Sequence, residues 1–107
     1  MKFYAFHLMP YRHIDMEEAS KYRSLWSVLP NRLYDTELGA DLYAEYVDQL
    51  VLAAQLGFDG VCVNEHHQSA YGLMPAPNLI ASILLDRTSG SDVKVPIIGR
   101  ALPLVNN

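Results

Sequence analysis

From Asp41 to Leu56 apolar residues recur with the period of a helix, and directly after Gly57-Phe58-Asp59 the chain changes to the β-branched run GVCVNEHH. Leu42, Tyr43, Tyr46, Val47, Leu50, Ala53 and Ala54 share one helical face, while Glu45, Asp48 and Gln55 share the other. Leu52 falls outside the apolar stripe. Asp41 reads as the N-cap, and Gly57 as the left-handed residue that follows a last turn. A helix that passes through so short a connection into a strand is the joint from which α/β folds are built.

The pattern then repeats. After the loop SAYGLMPAP, Pro77 suits a first helical turn, Leu79, Ile80, Ile83 and Leu84 mark an apolar face, TSGSD ends the helix and VKVPIIG supplies another β run. Upstream, Lys2 to Leu8 reads as a short strand closed by Met9-Pro10. Between Tyr11 and Gly39 no clean period exists: MEEASKYRS suits a helical turn or two, and SLWSVLPNRLYDTELG reads as a long loop. Long loops within compact domains are uncommon and often functional.

Strand, helix, strand, helix, strand is the order of a parallel sheet with right-handed crossovers. A doubly wound nucleotide fold would place a Gly-rich turn after the first strand, where this chain has Met9-Pro10-Tyr11-Arg12. Alternation along GVCVNEHH sends Val61 and Val63 to one face and Cys62, Asn64 and His66 to the other, as suits a barrel wall with helices outside. The expected fold is therefore α/β, a TIM (β/α)8 barrel. Such a barrel takes about 250 residues, so residues 1–107 are expected to be the first β-α-β-α-β portion of a single, incomplete barrel domain, too short to work alone.

Composition narrows the function. The content of 50% hydrophobic and 19% charged residues is that of a globular chain rather than a disordered one. A net charge of -4 with scattered basic residues offers no stripe for nucleic acid. Cys62 is the single cysteine, which excludes an internal disulfide and a Cys-based zinc cage. No segment approaches the roughly 20 apolar residues of a membrane helix, and the N-terminus lacks the apolar core of a signal peptide. A cytoplasmic protein with no membrane partner is expected.

Asn64-Glu65-His66-His67 is the densest polar cluster, at the C-terminal end of a strand where barrel enzymes place their chemistry. His66 reads as a proton shuttle or anion donor, with Glu65 setting its tautomer and basicity. A metal site is the weaker reading, because adjacent strand residues point to opposite faces; a strand end entering a solvated loop is the plain one. His7, near the end of the first strand with Met9 beside it, reads either as structural or as lining a pocket beside His66. Met74, in an apolar loop on the same face, suits a hydrophobic substrate or flat ring, or equally a subunit contact. Arg100, just after Gly99, reads as a ligand contact or a solvated residue. Trp26, Leu29 and Tyr34 suit a lid over the mouth or packing against other parts of a barrel.

The stretch LYAEYVDQLVLAAQLGFDGVCVNEHHQSAYGLMPAPNLIASILLDRTS, followed by VKVPIIGRALPL, resembles the N-terminal half of the bacterial luciferase-like flavin-dependent monooxygenases. The shared features are the first helix, GFD, a short strand ending in EHH, a Pro-started helix ending in RT, and a Gly-x-Ala-x-Pro segment. The resemblance covers most of the chain from Leu42 onward. It implies a TIM barrel binding reduced FMN, or in some branches F420, supplied by a flavin reductase or an F420-reducing dehydrogenase. It further implies activation of O2 to oxidise a small organic substrate, and a homo-oligomer. By this resemblance His66 is catalytic with Glu65 as its acidic partner, and Gly99, Arg100 and Ala101 lie against the isoalloxazine ring, with Asn64 beside the cofactor. His7, Met9, His67 and Met74 would form the substrate pocket. A metal-dependent TIM-barrel hydrolase and a non-catalytic flavin-binding protein are the competing expectations.

Overall fold

A computed structural model describes residues 1–67 and 69–97. In chain order these residues form β1 (Tyr4–Phe6), α1 (Met16–Ala19), a 3-10 turn (Asn31–Leu33), α2 (Thr36–Gln55), β2 (Gly60–Cys62) and α3 (Pro77–Arg87). The result is a mixed α/β arrangement with a parallel sheet in which Tyr4, Ala5 and Phe6 pair with Gly60, Val61 and Cys62. The described residues of the expected third strand, to Ile97, contribute isolated parallel bridges, Gly60 to Lys94 and Val63 to Ile97. Pro96 lies between those bridges and has no N–H to give a ladder. Its carbonyl still accepts from the Val63 N–H at 3.2 Å, and Lys94 O accepts from Val61 N–H at 2.9 Å. β2 is thus bonded along both edges.

α2 begins earlier than the sequence reading has it. Asp35, not Asp41, is the N-cap: its Oδ1 accepts from the backbone N–H groups of Glu37 (2.9 Å) and Leu38 (3.1 Å). Gly39, read as the end of a loop, lies buried inside the helix, where a Cβ would collide with the Tyr34 ring. Its small size is what the position needs. The other end is as expected: Gly57 has φ 91°, Phe58 N–H donates to Ala53 O and Gly57 N–H to Ala54 O, a Schellman closure.

The core lies between α2, α3 and one face of the sheet. Leu42, Tyr46, Val47, Leu50 and Val51 of α2 meet Val61 and Val63, with Ile80, Ala81 and Leu84 of α3 completing the cluster. Leu52 is exposed, as its place outside the stripe implies. The expected face of α3 needs correction. Ile80 and Leu84 are buried, but Leu79 and Ile83 are exposed, because α3 meets its neighbours along a narrower strip through Ile80, Ala81 and Leu84.

The aperiodic stretch from Tyr11 to Asp35 is ordered by polar contacts rather than by an apolar stripe. Asp15 caps α1 by accepting from the Glu17 and Glu18 N–H groups. Glu18 then takes both Lys21 and Arg32 at 2.5 Å, and Arg32 also donates to the Tyr22 hydroxyl at 2.8 Å. Tyr46 Oη donates to Pro10 O at 2.7 Å, and Tyr11 Oη accepts from Asp35 N–H at 3.0 Å, which fastens the segment to α2.

Candidate functional site

The site begins where β2 ends. Val63 and Asn64 continue the buried run, and the chain then emerges through partly buried Glu65 and His66 to exposed His67. His66 N–H donates to Met74 O at 3.0 Å, so the segment from β2 folds against the loop leading to α3. That loop is clipped in turn to the end of the first strand region. Gly72 bridges Pro10 in antiparallel sense, Leu73 N–H donates to Met9 O at 2.7 Å, and Tyr11 N–H donates to Tyr71 O at 3.1 Å.

His66, His67, Ser69 and Gly72 line a cleft of about 430 Å³ whose further walls include Tyr34 and Tyr43. Trp26 lies against this group, its ring centroid 4.8 Å from that of His66 and 4.5 Å from that of Tyr71. Ser69 Oγ donates to Leu25 O at 2.5 Å and ties the Trp26 segment to the loop after β2. The Trp26 part of the expected lid is therefore in contact with the His66 ring, while Leu29 is buried and Tyr34 packs against Tyr11 at 4.9 Å. Burial, and secondarily the nearby His67, push the His66 pKa below 6.5. At neutral pH its ring is uncharged, with one nitrogen to donate and one to accept a proton.

The expected pairing of Glu65 with His66 takes another form. The Glu65 carboxylate reaches Nε2 of His67 at 2.6 Å, a neighbour on its own side of the extended chain. Asn64 is buried; its Nδ2 donates to Leu8 O at 3.4 Å, and its Oδ1 has no hydrogen-bond partner among the described residues.

His7 is placed by α2 and not in the cleft. Its Nδ1 accepts from Met9 N–H at 2.9 Å, so Nε2 carries the proton and donates to Gln49 Oε1 at 2.9 Å. The imidazole also lies 4.5 Å from the Tyr46 ring. Gln49 passes the polarity on to Glu45 at 2.9 Å, which holds Arg12 through both carboxylate oxygens. This network braces a bend at Met9, which has φ 48°, an uncommon backbone state for a side-chain-bearing residue. Met9 and Met74 are fully buried in the core cluster; Met74 also lines a small apolar cavity of about 230 Å³ with Tyr43, Leu79 and Ile80. Met9 thus has a packing role in the described structure. Cys62 is buried, and burial raises its thiol pKa, which makes it an inert core residue.

Gly99, Arg100 and Ala101 lie outside the described residues. Among the described residues, no three His, Cys, Asp or Glu side chains converge on a metal-sized site. None of the described helices is long and apolar enough to cross a membrane. Tyr43 and Ser69 are cleft residues that the motif reading does not place there, Tyr43 reading as part of the helix face; Trp26 reads as lid and Gly72 as part of the mouth loop, with no local signal for its contact with His66. Comparison with protein-family models, with curated proteins and with solved structures finds no match.

Proposed function

We propose that this chain is the opening portion of a luciferase-like (β/α)8 barrel, and that the barrel is a flavin-dependent oxidoreductase oxidising a small organic substrate with O2. The observation that carries the reading is the position of His66: a neutral, partly buried imidazole just past the C-terminal end of a strand bonded on both edges, on an aromatic cleft. Parallel strands joined through α2 agree with it, as does the EHH motif itself. Walls of Tyr34, Tyr43 and Leu73 suit a flat ring system, and the amide oxygen of buried Asn64, without a partner among the described residues, is an acceptor that a ring N–H could satisfy.

Reduced FMN, or F420 as the alternative carrier, would supply the electrons when bound. This chain's own residues have other tasks. His66 gives or takes a proton at an imidazole nitrogen, with the neutral form favoured by burial. Trp26 shields one side of that ring from water, as chemistry on reactive oxygen species requires. His67 and Glu65 hold a polar rim beside it.

Titration of the protein with oxidised and reduced FMN and F420, read by quenching of its single tryptophan, Trp26, tests the proposal. Saturable quenching by one carrier is the expected result. Quenching by neither, together with a stoichiometric bound metal, would transfer the reading to a metal-dependent hydrolase on the same barrel; saturable binding without O2-dependent turnover would indicate a flavin carrier.

A further inference from the structure

We propose that Gly72 is a positioning residue for His66, present as glycine because the imidazole occupies the space that a side chain there would fill. Backbone conformation does not require glycine at this position. The left-handed glycines of the described residues are Gly57 and Gly90, at φ 91° and 85°, and Gly72 is not among them. Space does require it: a Cβ on Gly72 would lie 2.7 Å from His66 Cδ2 and 3.1 Å from its Cβ and Cγ. Contacts under about 3 Å force one partner to move.

The backbone on each side of this contact is fixed. Gly72 bridges Pro10, and its neighbours Tyr71 and Leu73 bond to Tyr11 and Met9. The His66 main chain is held in turn by the bond to Met74 O. The imidazole is what remains free to rotate. Trp26 already occupies one approach to it, and Ser69 Oγ restrains the Trp26 segment through Leu25 O. A methyl group at position 72 would therefore turn the ring outward into the cleft or drive Trp26 away. Either movement gives the imidazole more water, with His67 as its titratable neighbour and the Tyr34 and Tyr43 hydroxyl groups on the same cleft.

The consequence for chemistry rests on the reading of His66 as the proton-transferring group, but the geometric claim has a separate readout. In the Gly72→Ala variant of the whole chain, ring NMR signals of His66 should titrate at higher pH than in the parent, closer to 6.5, and cross-peaks between the Trp26 and His66 rings should weaken. An unchanged titration with unchanged cross-peaks overturns the proposal. Should Gly72→Ala fail to fold, the double variant Gly72→Ala with His66→Ala removes the obstructing ring. Recovery of a cooperative melt matching His66→Ala alone supports the contact, and no recovery refutes it. In a protein carrying the complete barrel, His66→Ala that left O2-dependent turnover unaffected would refute the catalytic reading and leave the positioning of the ring by Gly72 standing.

Discussion

β1 and β2 are paired residue for residue, yet their surroundings are opposite. Gly60, Val61 and Cys62 of β2 are all buried, whereas Tyr4 and Phe6 of β1 remain 44% and 49% exposed. Ala5 alone of the β1 residues packs against the helical core. The face of the sheet under α2 and α3 is closed by leucine, isoleucine and valine; the opposite face carries Tyr4 and Phe6, with the Tyr4 ring lying over Gly60. Apolar residues on an open face mark a surface that another layer could bury. In the barrel reading that face is the interior, which only the remaining staves would close.

The contrast is easily attacked. Leu84 is fully buried between α2 and the sheet, so Leu84→Ala should cost about 2–5 kcal/mol of stability, read from urea unfolding. Removing the Asp35 cap should cost about 1 kcal/mol in Asp35→Ala, because two N–H groups of α2 lose their acceptor; a loss below a few tenths would mean that the helix start is held by packing alone. Phe6→Ser should cost at most about 1 kcal/mol, as changes at exposed positions usually do. A loss as large as that of Leu84→Ala would show that the second face is covered in solution and would dissolve the contrast between the strands.

The smallest expected effect is confined to acid. Since His66 has its folded pKa below 6.5, the unfolded chain binds a proton first as pH falls from that value, and stability declines until the folded-state pKa is passed. His66→Gln should flatten this part of a pH–stability profile. The carboxylates of Glu18 and Glu45 act lower, below 4.5, where hydrogen bonds from Lys21 and from Arg12 depress their pKa values and protonation removes those contacts. A parent profile already flat just below 6.5 would show that the His66 ring is as hydrated in the folded chain as in the unfolded one.

Where local chemistry decides, the structure follows the sequence closely. The α2 stripe, the Gly57 closure, the joint into GVCVNEHH and the Pro77 start of α3 each rest on residues near one another in the chain. Errors arise where a residue's role depends on a distant partner. Gly39 reads as the end of a loop until Tyr34 is seen to lie against it, and the burial of Met9 in the core cluster has no local signal. His7 is similar: adjacent to a strand end, it could face either way until Gln49, forty-two positions on, accepts its proton.

The amino-acid sequence by itself determined the alternation of strands and helices, the helix-facing Val61 and Val63 and the cluster of ionisable groups just after β2, because period, capping and turn chemistry act over a few residues. Tertiary structure alone decided how His66 is held and that burial lowers its pKa. His66 owes its state to burial beside Gly72, Trp26 and the loop from Tyr71 to Met74, and the bond between Glu65 and His67 depends on how the chain turns after β2. Desolvation and contact are properties of what surrounds a side chain, and those surroundings come from segments far apart in sequence.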